Sequence, residues 1–179
     1  MSQFEMILYF GIIPFLLITL TVVLLVILYY KRRKTKMYLN IEATLDEYTK
    51  SHPGAELQKS EVSEYDYILS TASAKYYIMV VPNFQCGELF LSSSTKWSIK
   101  KTYEDSISRF VPRIDKLARF DPPYEGGKEI KRIYVIYPTA KSILRYINDC
   151  EMEFIHSDTD VNGSNLITYN ELKDKKIEF

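Results

Sequence analysis

Cysteine is scarce in this chain: Cys86 and Cys150 are the only two among 179 residues. Two thiols so far apart rule out a disulfide framework and a cysteine-built zinc site, and the expectation is a pair of reduced, buried thiols. Histidine is as rare, with His52 and His156 alone. Nothing in their spacing asks for a metal or a catalytic triad, so surface or helix-capping roles are expected. Internal repeats and low-complexity tracts are absent, which excludes solenoids and disordered linkers. Charge of one sign is not in excess either, with 23 Lys+Arg against 23 Asp+Glu.

That balance conceals an uneven layout. Lys31, Arg32, Arg33, Lys34 and Lys36 precede residue 37, against a single acid, Glu5, leaving 18 basic and 22 acidic residues in 37–179. The chain is 46% apolar and 14% aromatic, enough for a packed core in one ordinary domain plus an appendage.

The appendage lies at the start. Residues 6–30 contain no charge across 25 positions, more than the roughly 20 needed to cross a bilayer core. Tyr9 and the pair Tyr29-Tyr30 suit the two interfacial belts, and Gly11 and Pro14 fall in the outer third, where a kink is tolerated. A cleaved signal peptide would need positive charge ahead of a shorter apolar core and small residues at the cut. None of these is present, so an uncleaved anchor is expected. Five basic residues on its C-terminal flank place the remainder in the cytoplasm and a short N-terminal tail outside. The same basic run could touch anionic lipid headgroups. Asn162-Gly163-Ser164 matches a glycosylation sequon that the cytoplasmic side would never use.

Residues 37–50 carry a loose helical pattern, expected to continue from the membrane helix after a break and to stop near His52-Pro53-Gly54. Glu42, Asp46 and Glu47 mark its solvated face.

The chain is organised around residues 63–97. Tyr65, Tyr67 and Leu69 alternate with Asp66 and Ile68, residues 76–81 form a near-continuous apolar run, and Glu88-Leu-Phe-Leu91 follows a Cys86-Gly87 turn signal. Asp66, Asn83, Phe84, Gly87 and Trp97 stand in an order that resembles the nuclease-related (NERD) branch of the PD-(D/E)XK restriction-endonuclease-like superfamily. The resemblance implies an α/β fold with a mixed sheet and, in active members, a Glu and a Lys at the end of the second strand. Val80 and Pro82 occupy those two positions here. Hard divalent cations need oxygen ligands, and a lysine would stabilise charge developing on phosphorus. Val80 has no oxygen and Pro82 no charge, so the motif is expected to be vestigial, with no cofactor bound. The resemblance also makes an acid on the first helix, Glu42 or Glu47, a possible metal helper, although a solvated helix face accounts for both.

Beyond the motif, a helix is expected over residues 112–120 after an extended segment, and residues 121–127 read as a loop. A strand is expected over 130–137, then a helix from Pro138 with Ala140, Ile143, Leu144 and Ile147 on its buried side. Short strands follow at Phe154-Ile155 and Leu166-Ile167, separated by a polar turn at 160–165, and a short capping helix begins at Tyr169. The start of an EF-hand loop at 158–163 lacks its twelfth-position Glu, since Tyr169 stands there. Residues 96–145 hold 12 basic and 6 acidic residues. Lys100, Lys101, Arg109, Arg113, Lys131 and Arg132, interleaved with aromatics, form a candidate basic surface for nucleic acid.

The expected architecture is α/β: an outside tail and anchor at 1–30, a basic juxtamembrane segment and first helix at 31–58, and a restriction-endonuclease-like mixed-sheet domain at 59–179. The expected function is a single-pass membrane protein holding a catalytically degenerate module that binds or scaffolds an unidentified protein partner at the cytoplasmic face. Two alternatives stand beside it. One is a magnesium-dependent nuclease whose acid and base have migrated to Glu88, Glu64 or Lys75; the other is a nucleic-acid-binding membrane protein.

Overall fold

A computed structural model describes residues 6, 11–91, 97–100, 109–110, 127–148, 151–161 and 163–174, with backbone alone at 109, 110 and 148. The first element, α1 (Ile13–Ser51), runs 39 residues without interruption, roughly 58 Å at the helical rise of about 1.5 Å per residue. The expected break before residue 37 does not occur. Lys, Arg, Met, Leu and Glu dominate the junction and neither Gly nor Pro intervenes, so propensity carries the helix straight through. It stops where expected, with His52 Nδ1 3.0 Å from the Tyr48 carbonyl and its ring stacked on Tyr48.

The chain divides into two compact units, Met1–Leu39 and Asn40–Phe179. In the first, α1 carries a window of mean hydropathy 2.6, none of it buried, and is long and apolar enough to cross a membrane. A helix that served as the core of a folded domain would hide such a window; here Phe15, Ile18 and Leu20 are each more than 60% exposed.

Among the described residues the second unit is built on two five-stranded sheets. The first contains β1 (Glu56–Lys59), β2 (Tyr67–Ser70), β3 (Ala74–Pro82), β7 (Glu129–Tyr137) and β10 (Ser164–Thr168) as neighbours in that order. β1, β2 and β3 are antiparallel, and β3, β7 and β10 are parallel. The second sheet has the order β6 (Arg109–Phe110), β5 (Trp97–Lys100), β4 (Glu88–Leu91), β8 (Ile143–Asn148) and β9 (Glu151–Phe154). Here too the central pair, β4 and β8, is parallel, with antiparallel neighbours outside it.

Strand alternation gives the first sheet two apolar faces. Tyr77, Met79, Val81, Tyr134, Ile136 and Leu166 join Leu89, Leu91, Trp97 and Ile143 of the second sheet in one buried cluster. The opposite face carries Leu69, Ile78, Val80, Ile133, Val135 and Ile167, all buried. The last turns of α1 belong to that side. Ile41 and Leu45 are fully buried, Asn40 Nδ2 donates to the Tyr137 hydroxyl at 2.7 Å, and Lys59 pairs with Glu42 at 3.8 Å.

The mixed α/β class expected from the sequence is what the chain adopts, with two mixed sheets in place of one. The expected helix after Pro138 is strand β8. Ala140, Ile143, Leu144 and Ile147 fit a helical period, but the stretch Ile-Leu-Arg-Tyr-Ile is rich in strand formers, and an open edge on β4 takes it up. Ile143 and Leu144 are buried as anticipated, whereas Ile147 is exposed. The strands at 88–91 and 164–168 and the closing helix α2 (Tyr169–Lys173) lie where the sequence placed them. The expected helix at 112–120 lies outside the described residues.

Candidate functional site

The motif residues gather where β3 leaves the first sheet for β4 of the second, and each has a structural occupation. β2 begins only at Tyr67, so the β2-side N–H of Val80 meets no strand residue. The Asp66 carboxylate fills that gap: Oδ2 accepts from the Val80 N–H at 2.7 Å, while the Asp66 N–H donates to the Ile78 carbonyl at 2.8 Å. The Val80 side chain is fully buried and faces Val135 across the parallel ladder. Pro82, half-buried, closes β3 opposite Tyr137, in keeping with a residue that cannot donate to a ladder.

Asn83 comes next and is itself buried. Its Nδ2 donates to the Gly87 and Thr139 carbonyls at 2.9 Å each, and its Oδ1 accepts from the Gly87 N–H at 3.0 Å. Thr139 lies in the passage from β7 to β8, which crosses between the sheets beside the passage from β3 to β4. Asn83 therefore ties the two crossings together. Backbone bonds repeat the tie, from the Asn83 N–H to the Tyr137 carbonyl at 2.7 Å and from Leu89 to Ser142 at 2.9 Å. A Cβ on Gly87 would lie 2.3 Å from the Lys100 carbonyl oxygen, so only glycine lets β5 approach this closely. Phe84 packs edge-on against Tyr137 at 6.3 Å, and Trp97 is buried 6.5 Å from the Tyr134 ring.

At the motif positions only Asp66 offers carboxylate oxygen, and one of its two oxygens already serves a backbone N–H. Among the described residues there is no group of three or more His, Cys, Asp or Glu placed to hold a metal. Of the three residues named as migrated replacements, Glu64 accepts from the Ser63 hydroxyl at 3.3 Å, and Lys75 Nζ sits 5.7 Å from the Tyr77 ring centre. Glu88 differs from both. Its side chain is about nine-tenths buried, Oε1 lies 3.6 Å from Lys141 Nζ, and Oε2 has no hydrogen-bond partner among the described residues. No local sequence signal links Lys141 to Glu88, which stands 53 positions earlier in the chain. Glu42 pairs with Lys59, and Glu47 is exposed.

The described basic candidates belong to different sheets and faces. Lys131 and Arg132 are successive residues of β7 and point to opposite faces of the first sheet, while Lys100 belongs to the second sheet. Lys131 pairs with Glu129 at 3.3 Å and lies 5.9 Å from the Tyr76 ring. Burial raises the Tyr76 phenol above its ordinary value of 10.0, an effect that the Lys131 charge opposes and the Glu129 charge reinforces. Lys100 lies over the Phe90 ring at 5.0 Å, and Arg132 is half-buried. Arg109 stands opposite Ile99 on β6; Lys101 and Arg113 lie outside the described residues.

Two smaller expectations resolve differently. Cys86 is exposed, not buried, because it occupies the turn before Gly87 with φ +52°; Cys150 lies outside the described residues. The polar turn near 160 is present, closed by the Gly163 N–H donating to Asp160 Oδ1 at 2.6 Å.

Searches against protein-family models, curated proteins and solved structures find no match to this chain.

Proposed function

We propose that the chain is a single-pass membrane protein whose α/β body is a non-catalytic binding or scaffolding module held at the cytoplasmic face, related to the nuclease-related branch of the restriction-endonuclease-like superfamily. The observation that carries the non-catalytic reading is the bond from the Val80 N–H to the Asp66 carboxylate. It gives the acid of the motif a structural task, next to a buried valine where a second metal ligand would be needed. The anchor reading is supported by the exposed apolar length of α1 and by the basic flank that follows it. Relatedness to the nuclease branch rests on the order Asp66, Asn83, Phe84, Gly87 and Trp97.

The test is nuclease activity of the full chain in detergent or vesicles, with DNA and RNA as substrates and magnesium or manganese present. The expected outcome is no metal-dependent cleavage above a preparation of Asp66→Ala. Cleavage abolished by Asp66→Ala, or by Glu88→Gln, would contradict the proposal and establish an active nuclease.

A further inference from the structure

The five basic residues after the apolar run are equivalent in the sequence, but not on the helix. Arg33 is half-buried and has interactions of its own, and Lys34 Nζ lies 6.0 Å from the Tyr38 ring. Lys31, Arg32, Lys34 and Lys36 are all exposed, but of these Lys31, Arg32 and Lys36 share one face with Leu28, Thr35 and Leu39. With 3.6 residues per turn, these six positions fall within an arc of about 140°. They line an open cleft of about 410 Å³. Thr35 is the small residue at its middle, its hydroxyl donating to the Lys31 carbonyl at 3.1 Å, which leaves room between the three cations.

These charges are not neutralised along the helix. No acidic residue occurs between Glu5 and Glu42, so none of the three has a partner three or four residues away, where helical ion pairs form. Leu28 belongs to the apolar run, and Tyr29-Tyr30 mark its interfacial end. The cleft therefore begins where acyl chains give way to headgroups.

We infer that this face of α1 docks the phosphate headgroups of anionic phospholipids in the leaflet from which the helix emerges. The inference rests on the anchor reading proposed above. It adds that Lys31, Arg32 and Lys36 provide the lipid selectivity, and that Arg33 and Lys34 contribute little. Their ammonium and guanidinium groups meet phosphate oxygens as charge-assisted donors, while Leu28 continues the surface into the acyl region.

The experiment reconstitutes the full chain into vesicles of phosphatidylcholine mixed with phosphatidylglycerol, then measures the ratio of the two lipids that co-purify with it. The wild type should be enriched in phosphatidylglycerol. The variant K31Q/R32Q/K36Q should lose that enrichment by about fivefold or more, the worth of one basic residue near an anionic surface. The variant R33Q/K34Q should keep most of it. Equal loss in both variants would overturn the inference, leaving only a count of charges. A parallel alkaline wash of pure phosphatidylcholine vesicles separates the two readings. If the wild type washes off, the anchor and the inference fall together. If it stays without lipid enrichment, the inference alone fails.

Discussion

At Asp66 the carboxylate and the charge it carries can be separated by substitution. Asparagine keeps an oxygen that can accept from the Val80 N–H, now 2.7 Å from Oδ2. Asp66→Asn should therefore fold and lower stability by about 1 kcal/mol, the scale of one weakened polar contact. Chemical denaturation of the full chain in detergent checks the stability change. A loss above about 3 kcal/mol would mean that the ionised form is held by more than hydrogen bonding. Calorimetric titration with magnesium should show no stoichiometric site in either protein. That Val80 carries no oxygen ligand and Pro82 no charge follows from residue type alone. Finding Val80 as the partner of Asp66 needed the register in which β2 stops at Tyr67. Cys86 was misread because free cysteine is usually buried, a statistical tendency that a left-handed turn position overrides.

Elements were legible where local pattern and tertiary demand agreed. The apolar run of β3, the short run of β4 and the closing helix α2 all met that condition. In α2 the Thr168 side chain accepts from the Glu171 N–H while the Glu171 carboxylate accepts from the Thr168 N–H. β8 failed because its apolar spacing fits two periods, and pairing with β4, a long-range contact, decided between them. The helix break failed for the opposite reason: the sequence there has no local cause to stop. The joint between β3 and β4 gives the sharpest prediction at this scale. Gly87→Ala would set a methyl group 2.3 Å from a backbone oxygen that no side-chain rotation can move away. It should cost about 3 kcal/mol, the upper end of ordinary overpacking. A thermal melt within a degree or two of the wild type would show that β5 can retreat and that the close approach is incidental.

At the scale of the whole molecule the chain joins an exposed apolar helix to a two-sheet body in which the Asp66 carboxylate accepts from the chain's own backbone at Val80. Pairing each strand's apolar face correctly required the crossing of two parallel pairs from one sheet to the other, which no window of sequence displays. Topology, by contrast, is an expectation from charge placement alone, and the body carries its own reporter for it. Cys86 is exposed at a turn of the second unit. In a Cys150→Ser background, cells producing the full-length chain can be treated with a membrane-impermeant maleimide before and after permeabilisation. A body tethered at the cytoplasmic face predicts that Cys86 is labelled only after permeabilisation. Full labelling on intact cells would contradict it.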